Sequence, residues 1–213
     1  MNRRLITSAL PYVNNIPHLG NLIQMLSGDV FARFCRNKGY DTLYICGTDE
    51  YGTATETKAI EEKKTPRELC DYYYQEHTKI YDWFHINFDK FGRTSNEQCT
   101  EITQALFNDL DEAGYIKEHV NKQLFCPKCN MYLADRYVDG TCPKCGSTKA
   151  RGDQCDDCGS LLDPIELKDP KCHTCGSTPE VRETKHLYID LPNLSKNLDA
   201  WMAKTSVEGK WSD

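Results

Sequence analysis

Apolar positions recur along the first half of the chain with two alternating periods. Leu5-Ile6 through Ala9-Leu10 reads as a buried strand, and a helix follows from about Leu19 to Asn37, with Gly39 just past its end. Thr42-Leu43-Tyr44-Ile45-Cys46 is β-branched and apolar between Asp41 and Gly47, which predicts a second strand. The order so far is strand, helix, strand.

Two further helices carry their own start signals. At Thr65 a capping threonine precedes Pro66 at the first helical position, and Glu68 completes a capping box. Its predicted buried face is Leu69, Tyr73, Ile80 and Phe84. Another helix starts near Ser95 with Gln98 three residues on, should bury Ile102, Leu106 and Leu110, and ends at Gly114. Strands alternating with helices predict an α/β fold built on a parallel sheet.

From about Asn121 the texture changes to Cys, Pro, Gly, Lys and Asp, so we expect a division into residues 1–120 and 121–213. Eight of the twelve cysteines form four Cys-x-x-Cys pairs: Cys126/Cys129, Cys142/Cys145, Cys155/Cys158 and Cys172/Cys175. Each pair is followed by Gly or Asn, residues that accept the left-handed turn of a zinc knuckle. Eight thiolates fit two closed tetrahedral Zn2+ sites of the structural kind. The spacing leaves open whether the pairs combine sequentially or in nested fashion. Cys35, Cys46, Cys70 and Cys99 read as ordinary core or surface positions rather than reactive ones.

Composition narrows the function classes. With 213 residues and 39% hydrophobic content the chain can bury a real core. No run of about 18 apolar residues exists, and MNRRLITSALPY is too short an apolar run for a signal peptide, so the expectation is a soluble cytoplasmic protein without a membrane partner. Cysteines clustered as metal ligands fit a reducing compartment. A net charge of -6 does not suggest a broad nucleic-acid-coating surface, so any RNA contact must be local or lie outside this chain. Between Lys122 and Lys185 ten Lys/Arg balance ten Asp/Glu, and two zinc ions on eight thiolates would leave about four negative charges there.

The candidate chemistry lies at two strand ends. PYVNNIPHLGNL follows the first strand, where a parallel sheet binds ligands, and its helix start offers free amides and partial positive charge to a phosphate chain. His18 and Asn21 are three apart and can face one ligand, while Gly20 leaves room for a flat base. Taken alone, the motif reads more safely as a helix-capping histidine; its position after the first strand changes that weighting. No GxxxxGK[ST] loop is present. At the end of the second strand, CGTDEYGT brings Asp49 to where it could meet a substrate ammonium, the alternative being a cap for a helix starting near Thr53. His77 and His85 read as packing or surface histidines, His173 as outside any metal shell, and Tyr72-Tyr73-Tyr74 as core packing plus exposed rings.

ALPYVNNIPHLGN, ICGTDEYGT, FGRTSNEQ and the knuckles ending in HLYIDLP together resemble the methionyl-tRNA synthetases, a class I aminoacyl-tRNA synthetase family. The resemblance implies a Rossmann-like catalytic half with an inserted zinc-knuckle connective peptide. It implies ATP-dependent activation of methionine to an adenylate, with Mg2+ accompanying ATP, and transfer to tRNA(Met). The family's His-Ile-Gly-His signature falls on His18-Leu19-Gly20-Asn21, implying that His18, Gly20 and Asn21 bind ATP and that His18 and Asn21 stabilise its phosphates. It also implies that Leu10 and Tyr12 line the methionine pocket and that Asp49 holds the ammonium group. Some relatives keep only the inner cysteine pairs and bind one zinc. The resemblance therefore favours nesting: Cys142, Cys145, Cys155 and Cys158 for one ion, and Cys126, Cys129, Cys172 and Cys175 for the other.

The family's second signature, Lys-Met-Ser-Lys-Ser, has no match, and KTSVEGK near Lys204 lacks its pattern. With the chain ending at Trp211-Ser212-Asp213, the expectation is an amino-terminal portion with little or no aminoacylation activity of its own. The competing expectations are a non-catalytic zinc- or RNA-binding module and a class I synthetase for another amino acid.

Overall fold

A computed structural model describes residues 2–211. The chain divides into two compact units, Met1–Thr103 and Gln104–Asp213. The boundary expected at residue 120 falls inside a continuous strand of the second unit. Ser212 and Asp213, on which the reading of the chain end rests, lie outside the described residues.

The first unit is built on a three-stranded parallel sheet of β1 (Arg3–Thr7), β2 (Asp41–Thr48) and β3 (Lys90–Arg93), in that order. β1 ends three residues sooner than the apolar run predicts, and it is not buried throughout: Ile6 is buried whereas Leu5 is exposed. Successive residues face opposite sides of the sheet: Ile6 packs with Met25 and Tyr44, whereas Leu5 lies in register with Leu43 on the other face, and both are exposed. β2 is the central strand and runs two residues past the predicted end, because Gly47 and Thr48 pair with Gly92 and Arg93 of β3.

Helix α1 (Leu19–Asn37) connects β1 to β2 and buries Met25, Asp29, Ala32 and Cys35, one face at helical spacing. The charge of Asp29 is tolerated there because its carboxylate accepts from Arg33 Nε at 2.6 Å and from the Asn87 backbone N–H at 2.9 Å. Gly28 lies on the same helix because a Cβ there would come within 2.6 Å of Tyr44 Oη and 2.8 Å of Ser8 Oγ. That hydroxyl pair is buried: Tyr44 donates to Met25 O at 2.9 Å and so accepts from Ser8 at 2.9 Å.

Helices α2 (Thr53–Glu61) and α3 (Pro66–Trp83) follow β2. The capping box at α3 forms in full, with Thr65 Oγ1 accepting from Glu68 N and Glu68 accepting from Thr65 N. Its buried row is Leu69, Cys70, Tyr73, His77 and Tyr81. Ile80 is only half-buried and Phe84 forms the C-cap, so the face is rotated from the one predicted. A polar letter at 77 hid the continuous row 69-73-77-81, in which His77 is accommodated because both of its ring nitrogens find partners. The neighbouring tyrosines divide, with Tyr73 buried and Tyr72 exposed.

Helix α4 (Glu97–Glu112) forms as predicted in extent but not in environment: none of its residues is buried, and Ile102 and Leu106 are exposed. Its cap is Asn96, whose Oδ1 accepts from Cys99 N at 2.7 Å. Apolar periodicity marks a face that favours cover; it cannot supply the element that covers it.

The second unit holds two antiparallel sheets. β4 (Ile116–Cys126) pairs along ten registered positions with β9 (Glu180–Ile189), and β5 (Met131–Tyr132) extends that sheet. β6 (Val138–Thr141) sits between β7 (Ala150–Arg151) and β8 (Lys168–Cys172). The core mixes ordinary apolar side chains with sulfur: Leu124, Leu133, Tyr137, Val138, Ala150 and Leu167 pack with Cys126, Cys142, Cys155 and Cys172. A final helix α5 (Leu191–Gly209) takes in all of the KTSVEGK segment except Lys210, its C-cap, and starts after Asp190, whose side chain accepts from Asn193 N. The sequence reading missed this helix, although Asp190-Leu191-Pro192 is a cap-and-proline start signal. No helix of the described residues is long and apolar enough to cross a membrane.

Candidate functional site

Beyond the carboxyl end of β1 the chain turns through Ser8–Pro17 into α1. Here His18 is the N-cap in an extended conformation, with φ -82° and ψ 171°. Its Nδ1 accepts from the Asn21 backbone N–H at 3.3 Å, and Asn21 Oδ1 accepts from the His18 backbone N–H at 3.2 Å. The two residues thus close a reciprocal capping box in which histidine takes the usual serine or threonine place.

This cap fixes what remains of each side chain. With Nδ1 accepting, neutral His18 carries its proton on Nε2. With Oδ1 accepting, Asn21 is left with its Nδ2 amide hydrogens. Capping and ligand binding are therefore compatible at these residues: the cap points two donors outward from a helix start that already bears partial positive charge. Gly20 has a reason other than space for a base, since a Cβ there would stand 2.9 Å from His18 Cε1 and 3.1 Å from Nδ1. The imidazole folds back over the backbone at Gly20.

Asp49 extends the parallel pairing one step past β2. Its backbone N–H donates to Pro11 O at 2.9 Å, and it forms a parallel bridge with Tyr12. The structure thus brings Tyr12 and Asp49 side by side. Tyr12 and Leu10 are both exposed, whereas Val13 between Tyr12 and the helix is fully buried and anchors the loop. Asp49 does not cap α2: that N-cap is Gly52, at φ 116°, with no side-chain bond. The Asp49 carboxylate instead accepts weakly from Tyr51 N at 3.4 Å.

Two groups support this site: His77, which the sequence already marks as a packing or surface histidine, and Glu50, which it does not single out. His77, on α3, is buried and its Nε2 is 2.8 Å from Asn15 O; a carbonyl can only accept, so Nε2 carries the proton and Nδ1 faces Tyr81 Oη at 3.4 Å. Burial pushes its pKa below the ordinary value, opposed in part by the Asn15 bond. Glu50 is a buried carboxylate next to Asp49, ringed by Thr48, Arg93 and Ser95. The signal for it was FGRTS, the sequence that supplies two of those partners.

In the second unit the eight knuckle sulfurs form two groups: Cys126, Cys129, Cys172 and Cys175, and Cys142, Cys145, Cys155 and Cys158. Within each, the sulfurs lie within 4.8 Å of one another. Facing pairs are 3.5 Å (Cys126–Cys175), 3.9 Å (Cys129–Cys172), 3.9 Å (Cys142–Cys158) and 3.6 Å (Cys145–Cys155) apart. An ion with four Zn–S bonds of about 2.3 Å sets its sulfurs about 3.8 Å apart. The donor sets therefore fit zinc, and the spacings are far too long for disulfide bonds.

The turns explain the residue after each pair. Asn130, Gly146, Gly159 and Gly176 all have φ between 53° and 79°, and the three glycine N–H groups donate to Cys142, Cys155 and Cys172 carbonyls. The crowded thiols titrate apart: the Ser177 hydroxyl draws Cys126 down to about 6, while Cys129 is pushed up to about 12 by its contact with Cys175. A cation relieves that conflict by letting all four ionise. His173 stays outside the group, with Nδ1 2.6 Å from Asp139 Oδ2.

The other thiols are of a different kind. Burial raises Cys46, and burial with the nearby Glu50 charge raises Cys70 to about 11, so both stay protonated and unreactive.

A family model described as tRNA synthetases class I (M) matches residues 4–213. The methionine–tRNA ligase of Treponema denticola is 66% identical over 213 residues, all of this chain and 27% of that protein. The cytoplasmic methionine–tRNA ligase of Saccharomyces cerevisiae is 56% identical over 209 residues, 98% of this chain and 28% of that protein. Thus the chain spans about a quarter of the length of these relatives. Among solved structures, the Mycobacterium tuberculosis methionyl-tRNA synthetase in complex with methionyl-adenylate superposes with a TM-score of 0.66 at 20% identity, covering 96% of this chain and 35% of that one. That likeness is one of fold.

Proposed function

The chain belongs to the class I tRNA synthetases of the M family, and from that premise we propose that it carries the ATP- and methionine-facing part of a methionine–tRNA ligase. The reaction would join methionine to ATP as methionyl-adenylate, with loss of pyrophosphate, and pass the methionyl group to tRNA(Met). Similarity to methionine–tRNA ligases over the whole chain supports this reading.

The observation that carries it is the reciprocal His18–Asn21 cap, which leaves His18 Nε2–H and Asn21 Nδ2–H2 as donors at a helix N-terminus. When the methionine carboxylate attacks the α-phosphate, negative charge builds on the phosphate oxygens. Donors already fixed in place stabilise it without reorganisation, and no protein nucleophile is needed. Gly20 lets the imidazole lie back, which keeps the approach to the amides open. Asp49 and Tyr12, paired at the end of β2, would take the methionine ammonium and one wall of its pocket, with Leu10 on the same loop.

Zinc would be held by the two nested cysteine groups and would serve folding, since each set of four sulfurs closes the coordination shell and leaves no position for substrate. The relatives named as cytoplasmic support a cytoplasmic setting.

The test is methionine-dependent ATP–pyrophosphate exchange in the complete polypeptide carrying this sequence. His18→Ala and Asn21→Ala should each lower kcat by about 10²–10³-fold, the range for losing one preorganised donor, with KM for methionine little changed. Exchange at the parent rate in both variants would remove the proposed role.

A further inference from the structure

Asp49 is flanked by two buried residues, Thr48 and Glu50, whose side chains bond to each other, Thr48 Oγ1 donating to Glu50 Oε1 at 2.9 Å. The Glu50 side chain is wholly buried. Arg93 Nε, from the end of β3, reaches the same oxygen at 2.6 Å, and the Ser95 hydroxyl meets the other oxygen. Arg67 on α3 donates to Ser95 Oγ at 2.9 Å and stands 4.0 Å from Glu50 Oε2. Arg93 is itself held by Asp71 on α3 at 2.6 Å. The backbone is tied as well: Glu50 N donates to Thr94 Oγ1 at 2.9 Å, and the Cys70 thiol faces Glu50 O at 3.7 Å.

A buried carboxylate with this many partners is costly to desolvate and contributes position more readily than stability. Its neighbour shows what is positioned. Residues alternate across an extended segment, so Thr48 and Glu50 point into the β3–α3 side and Asp49 points the other way. Its backbone N–H, in the plane of the sheet, donates to Pro11 O, next to Tyr12. Asp49 is thus fixed by its own backbone toward β1 and by the next residue's carboxylate toward β3 and α3.

We infer that Glu50 is a positioning residue for methionine recognition: clamped by Arg93, Thr48 and Ser95, it sets the orientation in which Asp49 meets the substrate ammonium. The inference rests on the proposed role of Asp49. Glu50 does not itself touch substrate, and its effect passes through Asp49. Losing Glu50 should therefore weaken methionine selection while leaving the ATP-facing donors of His18 and Asn21 in place.

The test is a double-mutant cycle in the complete polypeptide, read by the methionine and ATP dependence of pyrophosphate exchange. Asp49→Asn and Glu50→Ala should each raise KM for methionine by about tenfold or more, with KM for ATP within about twofold of the parent. The double variant should be no worse than Asp49→Asn alone, because the effect of Glu50 vanishes once Asp49 has lost its charge. Ser95→Ala, which removes one partner and leaves Glu50 in place, provides a milder variant if Glu50→Ala does not fold, and should show the same non-additivity on a smaller scale. Additive effects, or equal loss toward methionine and ATP, would overturn the inference. An unchanged KM for methionine in Asp49→Asn would instead remove the role of Asp49 on which it rests.

Discussion

His77 Nε2 and the carbonyl oxygen of Asn15 meet at 2.8 Å across 62 residues of sequence, joining α3 to the loop that leads into His18. The ring is buried and neutral, its pKa held below the ordinary histidine value first by burial. An unfolded histidine titrates near 6.5, so below about pH 6.5 the unfolded chain takes up the proton more readily than the folded one. The stability associated with neutral His77 is present above that pH and declines as pH falls toward the lowered folded value. Denaturant unfolding at about pH 7.5 and pH 5.5 should show a loss on acidification that is smaller in His77→Gln. An equal loss in both proteins would assign it to other groups.

Gly28→Ala tests the close approach of α1 to Tyr44. Alanine is favoured over glycine in a helix by about 1 kcal/mol, yet the added methyl would stand 2.6 Å from Tyr44 Oη in a ring with no exposure. Overpacking costs about 1–3 kcal/mol, so the net expectation is a lower unfolding midpoint. A rise would mean that the Ser8–Tyr44 pair moves aside at little cost.

The α3 cap gives a local prediction. Thr65→Ala removes the acceptor for Glu68 N and should cost about 1 kcal/mol in unfolding free energy. Thr65→Ser should retain most of it.

Two zinc ions per chain are expected from metal analysis of the purified protein. Cys126→Ser should abolish one and Cys142→Ser the other. Cys145 and Cys158 are exposed, whereas Cys129 and Cys175 are only partly so. A chelating dye should therefore withdraw zinc in two phases, the faster one absent from Cys142→Ser. A single phase, or one that survives in Cys142→Ser and vanishes in Cys126→Ser, would reverse the assignment.

Features whose cause lies within a few residues are legible in the amino-acid sequence itself. The Thr65-Pro66-Glu68 start, the extent of α1 and the left-handed residue after each Cys-x-x-Cys pair follow from local hydrogen bonds and backbone sterics. Asp190-Leu191-Pro192 is an equally local signal, although the cysteine-rich texture before it masks the helix that it starts.

What the tertiary structure alone decided depends on partners distant in the chain. Periodicity marked Ile102 and Leu106 as one face but could not provide a covering element, and both are exposed. It passed over His77, whose burial requires an oxygen from residue 15, and Glu50, whose carboxylate is held by residues 43 and 45 positions away. Spacing marked eight candidate metal-ligand sulfurs, and only the fold shows that Cys126/Cys129 face Cys172/Cys175 and Cys142/Cys145 face Cys155/Cys158. The hydrogen bonding of His18 is likewise decided in three dimensions. A four-residue motif can name a cap or a ligand donor, and only the direction of two hydrogen bonds between His18 and Asn21 reveals that one arrangement allows both.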